Sequence, residues 1–463
     1  MTSWLPEGSC EFLGNSQNKV ARSTSTKEIS KSHKPRVKKN KMPEKKVQEP
    51  SNSILREGLR LISSGVAGQL VALLLLAIVG RQYNEETMGI LGSFLSWGGL
   101  LSIVACGRYE QGIVVAPREE EARSLYHLAL RIAQYFFGLL LPLSILLGIF
   151  APNATPLGRT IYLLPLYVLL LAWYNASAQW VLRQRQYGRL AQMQLIKGVG
   201  NNLLKVLFGL LSASVGSLIA AQLLSLFAPY SLFVRSLREG LRKPSRDSVS
   251  KVAQQYQGFP RYGLIQALVD NLLGSLLILM LPLHFGAREV GLLTMAIMLA
   301  RRPLQLISEN LGSVYFERMS KRVAEREPIR PMVRKLLVII CLLGIPLALL
   351  LSLFMTPLVV LVVGERWIWS AYIIAWMLPM CIPNFATSIL NVLPDIFGRQ
   401  KANMWAQIGM LTVDLVVIIV GFSLFSFEQF IPYFYILMAL EQVGYLLFLL
   451  YFVWHYERTR TSD

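Results

Sequence analysis

The sequence predicts an all-α polytopic membrane protein of about 12 transmembrane helices arranged as two six-helix lobes. Three observations carry this reading. Apolar stretches of about 20 residues, the length that crosses the hydrocarbon of a bilayer, recur from Gly58 to Tyr456. Hydrophobic residues make up 54% of the chain and charged residues only 16%, whereas soluble domains carry about 25% charged residues. The basic residues between the stretches are abundant in every second loop and sparse in the others.

The expected spans are 58–80, 88–106, 125–150, 160–182, 190–211 and 215–234, then 262–285, 290–315, 335–363, 371–393, 403–424 and 431–455. The basic loops hold Arg108, Arg118 and Arg123, then Arg183, Arg185 and Arg189, then a cluster from Arg235 to Lys251. A further cluster runs from Arg318 to Arg334, followed by Arg399 and Lys401, and by Arg458 and Arg460. The intervening loops hold only Arg81, Arg159, Arg288 and Arg366. The positive-inside bias therefore predicts cytoplasmic termini and an even number of spans.

Residues 1–52 contain no apolar run and are rich in Ser, Lys and Pro, so they read as a disordered basic cytoplasmic tail. No apolar core follows the basic start, so no secretory signal is expected there. The tail is either a polybasic contact to an anionic leaflet or an orientation signal, and Met1 and Met42 both remain candidate starts. The cysteines, Cys10, Cys106, Cys341 and Cys381, form no CxxC pair and predict neither a disulfide framework nor a metal site.

No loop is long enough for a soluble domain. The largest one sits near the midpoint and divides residues 53–237, an N-terminal lobe, from residues 261–457, a C-terminal lobe, with 238–260 as linker and 458–463 as a short tail. The two halves match weakly at their starts. Arg56-Glu57-Gly58-Leu59 resembles Arg261-Tyr262-Gly263-Leu264, and Thr87-Met88-Gly89-Ile90-Leu91 resembles Glu289-Val290-Gly291-Leu292-Leu293. Six spans per half make both halves enter from one side, which predicts a parallel repeat with substrate between the lobes.

Ionisable residues inside spans are costly unless they face a partner or a cavity, so they mark candidate sites. The fifth span places Gln194, Lys197, Asn201 and Lys205 on one helix face, with Asn202 beside them. Lysines attract phosphate and amides exchange hydrogen bonds with hydroxyls, so the stripe suits an anionic, sugar-bearing ligand. Snorkelling of the lysines and helix–helix bonding of the amides is the plainer alternative. In the eighth span Arg301 and Arg302 precede Pro303, which is expected to break the helix. Neighbours on a helix point about 100° apart, so one of these arginines is expected to face the lumen, as a bidentate phosphate ligand or as an ion-pair partner. The buried acids Asp270, Glu309, Asp414 and Glu441 are candidates for ion coupling or for charge pairing.

Enzyme chemistry is not expected. The histidines His33, His127, His284 and His455 are scattered, and the chain contains no HExxH, P-loop or GxSxG pattern.

Gly107-Arg108-Tyr109-Glu110-Gln111-Gly112 through Ala116-Pro117, with Glu119-Glu120-Glu121-Ala122, resembles the loop after the second span of Wzx-type polysaccharide flippases. Phe259-Pro260-Arg261-Tyr262-Gly263 through Asp270-Asn271 and Phe285-Gly286-Ala287-Arg288 resembles another part of that family. So does Ala300-Arg301 with Pro303, followed by Val314-Tyr315-Phe316-Glu317-Arg318. The family belongs to the multidrug/oligosaccharidyl-lipid/polysaccharide (MOP) exporter superfamily. The resemblance implies a MATE-like fold with a cationic cavity that rocks between inward- and outward-facing states. It also implies flipping of an oligosaccharide on undecaprenyl pyrophosphate across a bacterial inner membrane, for O-antigen, capsule or exopolysaccharide assembly. Arg301 is the one site residue it carries over. The expected partners are the lipid-linked oligosaccharide, membrane lipids and other polysaccharide assembly proteins, with no nucleic acid. No cofactor is expected beyond an H+ or Na+ gradient. The alternatives are a multidrug or small-cation antiporter of the same superfamily, a lipid II flippase, and a scaffold that transports nothing.

Overall fold

The computed structural model describes residues 71–150, 157–232, 240 and 246–462. The basic tail, the first part of the first span and much of the linker lie outside these residues. The described chain is built from helices, with no strand among the described residues. The first six spanning helices are α1 (Val71–Gln82), α2 (Glu85–Ala105), α4 (Glu119–Phe150), α5 (Gly158–Arg183), α6 (187–211) and α7 (Val215–Leu232). The second six are α9 (Phe259–Leu283), α10 (Ala287–Ala324), α11 (Arg330–Val363), α12 (Glu365–Ile396), α13 (Gln400–Leu424) and α14 (Phe427–Ser462). Each expected span falls on one of them. Two short helices, α3 (Tyr109–Val115) and α8 (Arg246–Gln255), lie in the loop and the linker.

Local sequence accounts for several helix boundaries. Asn84 caps α2 by accepting the Thr87 N–H at 2.9 Å, and Glu85 and Glu86 place negative charge in its first turn. Glu119, Glu120 and Glu121 do the same for α4. The turn between α2 and α3 uses positive φ at Gly107 and Arg108. Arg183, at the end of α5, donates to the carbonyls of Ile113 (2.9 Å) and Ala116 (2.6 Å) and ties the end of α3 to the lobe. Replacing Arg183 with Ala leaves those carbonyls unpaired, at about 1–3 kcal/mol. Limited proteolysis in detergent is expected to show faster cutting between 107 and 118 in that variant.

The packing repeats between the two sets. In the first, α5 packs on α2, α4 and α7, and α6 packs on α7; in the second, α12 packs on α10, α11 and α14, and α13 packs on α14. The pair α9–α13 is matched by α1–α6, which are joined by Asn202 to the Ala72 carbonyl (3.3 Å) and by the Tyr83 hydroxyl to the Lys205 carbonyl (2.8 Å). The long helices α4 and α11 carry exposed apolar side chains such as Leu139, Leu342 and Leu353, as suits lipid-facing positions.

The sets meet where α2 and α10 begin. A Cβ added at Gly89 would overlap the carbonyl of Ala287, and one added at Gly291 would overlap the carbonyl of Glu85. The two glycines occupy matching places in the repeat and each rests on the other's helix start. Small residues allow this approach of backbones. Three hydrogen bonds cross between the sets at the same end: Arg81 to the Leu361 carbonyl (2.6 Å), Arg366 to the Tyr83 carbonyl (3.2 Å) and Trp367 to the Gly80 carbonyl (2.6 Å).

Candidate functional site

Beyond this closed end the two sets enclose a cavity of about 610 Å³. Its walls come from α2, α5, α6 and α7 of the first set and from α9, α10, α12, α13 and α14 of the second. Three cations line it: Lys197, Arg301 and Arg302. Three acids line it as well: Asp270, Asp414 and Glu441. The expected cationic cavity is therefore one of mixed charge. The packing of α9, α13 and α14 brings their acids to the space that α6 and α10 supply with cations.

Lys197 and Arg301 both sit in wide, π-helical turns, Ile196–Gly200 in α6 and Ile297–Arg301 in α10. Such bulges shift the direction of the side chains they carry and concentrate at functional sites. In α10 the bulge lies just before Pro303, whose ring and missing N–H disfavour regular α-helix over that turn. The helix continues as Arg302–Ala324 instead of breaking there. The wider turn also brings both Arg301 and Arg302 to the cavity, where regular spacing predicts one.

Lys197 Nζ lies 4.3 Å from the centre of the Tyr174 ring, a cation–π contact. Arg301 donates to the Gly274 carbonyl of α9 at 3.3 Å. Among the described residues, no ion pair within 4.0 Å joins Lys197, Arg301 or Arg302 to a carboxylate. Lys197, Arg301 and Arg302 thus make no direct ion pair with the acids that share their cavity. The Asp414 and Glu441 carboxyls lie side by side. One buried oxygen of each accepts no hydrogen bond among the described residues.

The other expected site residues lie elsewhere. Asn201 donates to Gln222 at 2.7 Å, its own buried carbonyl oxygen having no partner among the described residues, and Asn202 donates to a backbone carbonyl, so the N–H donors of both amides reach neighbouring helices. Lys205 is 3% exposed and lies outside the cavity lining, on the face of α6 whose backbone meets Tyr83. Glu309 accepts from Gln305 at 2.9 Å on its own helix and is also outside the lining.

One wall of the cavity was not foreseen. Asn384, Thr387, Ser388 and Asn391 of α12 line it together with Gln407 of α13 and Gln442 of α14. The four α12 residues recur at i, i+3, i+4 and i+7, a stripe legible in the sequence. Gln407 and Gln442 stand singly in apolar helices and are brought to that stripe only by tertiary packing.

Residues 114–372, more than half of the chain, match the model of a family described as polysaccharide biosynthesis protein. No curated protein matches the sequence. Among solved structures, the lipid II flippase MurJ in an inward closed conformation superposes with a TM-score of 0.68 at 11% identity, covering 87% of this chain and 92% of that one. An inward-facing multidrug resistance MATE family transporter of the MOP superfamily superposes with a TM-score of 0.59 at 16% identity, covering 84% and 96%. At these identities the likeness establishes the fold, as the resemblance implied.

Proposed function

Because the chain belongs to the polysaccharide biosynthesis protein family, we propose that it flips a lipid-linked oligosaccharide, carried on a polyprenyl pyrophosphate, across a bacterial cytoplasmic membrane. The observation that carries this reading is the set of three cations, Lys197, Arg301 and Arg302, on one cavity between two six-helix sets, none of them in a direct ion pair among the described residues. Arginine binds phosphate through a fixed fork of donors and lysine through a point charge, so together they suit a pyrophosphate. Charges held at this depth without carboxylate partners are costly, and an anionic ligand offsets that cost.

The loops at the closed end carry Arg81, Arg288 and Arg366, three of the four arginines of the sparse set, so the positive-inside bias makes this the outer end and leaves both termini cytoplasmic. The cavity then lies on the cytoplasmic side of that contact. Headgroup entry, separation of the contact at Gly89 and Gly291, and closure of the cytoplasmic side complete one alternating-access cycle. The paired carboxyls Asp414 and Glu441 suit one bound cation, a proton or an alkali-metal ion, and thereby coupling to a gradient. The same acids favour a second reading, export of a cationic small molecule.

Deletion of the gene is expected to remove a surface glycan and to accumulate its lipid-linked precursor on the cytoplasmic side, with the wild-type gene restoring export. A deletion strain with normal surface glycan and heightened sensitivity to cationic compounds would instead select the exporter reading.

A further inference from the structure

The amide wall of α12, α13 and α14 borders the same cavity as the charged groups, and Gln407 lies beside the Asp270 carboxyl. Gln442 Oε1 accepts from Thr387 (3.0 Å) and Asn384 (3.4 Å), and no protein acceptor takes its N–H donors among the described residues. Asn391 Oδ1 accepts from the Tyr445 hydroxyl (2.6 Å) and from Asn403 (3.3 Å). These bonds fix the amides in place before any ligand arrives. Gln407 is 4% exposed and its buried carbonyl oxygen has no hydrogen-bond partner among the described residues. An unsatisfied buried acceptor in a wall of otherwise organised amides points to a missing donor.

Amides offer an acceptor and donors on one planar group, and adjacent sugar hydroxyls each act as both donor and acceptor. The wall has the chemistry of a polyhydroxyl ligand, whereas the cations have the chemistry of phosphate. Position in the sequence separates them too. Lys197, Arg301 and Arg302 fall within the segment that matches the family model, residues 114–372, and the whole amide wall lies beyond it. We propose that α12, α13 and α14 form the glycan subsite, with Gln407 and Gln442 binding hydroxyls of the sugars next to the pyrophosphate, so that selection among glycans resides in this wall. The proposal rests on the lipid-linked oligosaccharide reading.

The test measures binding of defined probes to the purified full chain in detergent. The probes are farnesyl pyrophosphate alone and the same lipid bearing glucose, galactose or N-acetylglucosamine. One sugar-bearing lipid is expected to bind more tightly than the bare one. Gln407→Leu and Gln442→Leu are each expected to lower that advantage about fivefold, the worth of one hydrogen bond. Their binding of bare farnesyl pyrophosphate stays unchanged, which also reports that the variants are folded. If bare lipid binds and no sugar raises affinity, or if both variants keep the full advantage, the glycan subsite falls while the pyrophosphate reading stands. If the wild type binds none of the probes, both fall.

Discussion

Replacing Arg301 with Ala is expected to abolish export of the surface glycan while the protein remains in the membrane at wild-type abundance. Arg301 lies in the bulged turn of α10 and lines the cavity with no carboxylate within ion-pair distance among the described residues. Its bond to the Gly274 carbonyl, the one it makes among the described residues, leaves most of its donors for a ligand. Truncating one partner of a desolvated charge pair costs about 2–5 kcal/mol, which converts to a fall of roughly 30- to 4,000-fold in affinity. Arg301→Lys keeps the charge but loses the bidentate fork, so it is expected to retain part of the export. Arg302→Ala follows the same direction, and the double variant exports nothing. Lys205→Ala, by contrast, removes a cation outside the cavity and is expected to leave pyrophosphate binding intact. Surface glycan measured beside immunoblots of membrane fractions checks the whole series. Normal export from Arg301→Ala at equal abundance contradicts a phosphate role for that side chain.

The second large effect is expected at the closed end. Valine at Gly89 or Gly291 would set its side chain into the backbone of the opposing helix, where no rotamer change relieves the overlap. Overpacking of this kind costs about 1–3 kcal/mol, so the closed arrangement loses roughly 5- to 150-fold in population against its open alternative. Export is expected to fall because the cycle can no longer close its outer side. Thr294, 4% exposed, faces Gly92 just inside this contact and serves as the reporter. In a background without other cysteines, Thr294→Cys is expected to be protected from a membrane-impermeant thiol reagent added outside, and to become labelled once Gly89→Val is added. Equal protection in both backgrounds contradicts the assignment of this contact as the outer closure.

The fold was legible because bilayer thickness imposes a length and a polarity that each span displays on its own. Even α6, which holds Lys197, Asn201, Asn202 and Lys205, was recognisable from its position between two basic and sparse loops. The weak repeat around Gly89 and Gly291 was legible as well, and the structure supplies its physical reason: each glycine admits the start of the other helix. The arginines of the sparse loops were readable only as exceptions to a charge bias. Arg81 and Arg366 turn out to bond carbonyls across the closed end.

The candidate site was legible in part. Lys197, Arg301, Arg302, Asp270, Asp414 and Glu441 all line the cavity. Asn201, Lys205 and Glu309 do not, because helical spacing places residues on a face without saying whether that face meets a cavity or a neighbouring helix. The π-helical turns beneath Lys197 and Arg301 shift the faces further, and no spacing rule reports them. The amide wall eluded the sequence for a related reason. Its α12 stripe has the right period, but amides in apolar helices more often bond to other helices, and only the convergence of three helices makes these a surface.

The central claim is that the cavity selects and moves a pyrophosphate-linked glycolipid. The most direct measurement reconstitutes the purified chain into liposomes and follows transbilayer movement of a fluorescent glycolipid on pyrophosphate, beside the same glycolipid joined without phosphate. Movement of the pyrophosphate form is expected, and is expected to be lost in Arg301→Ala, with no accelerated movement of the neutral form. Equal movement of both lipids, or movement untouched by Arg301→Ala, would contradict that claim.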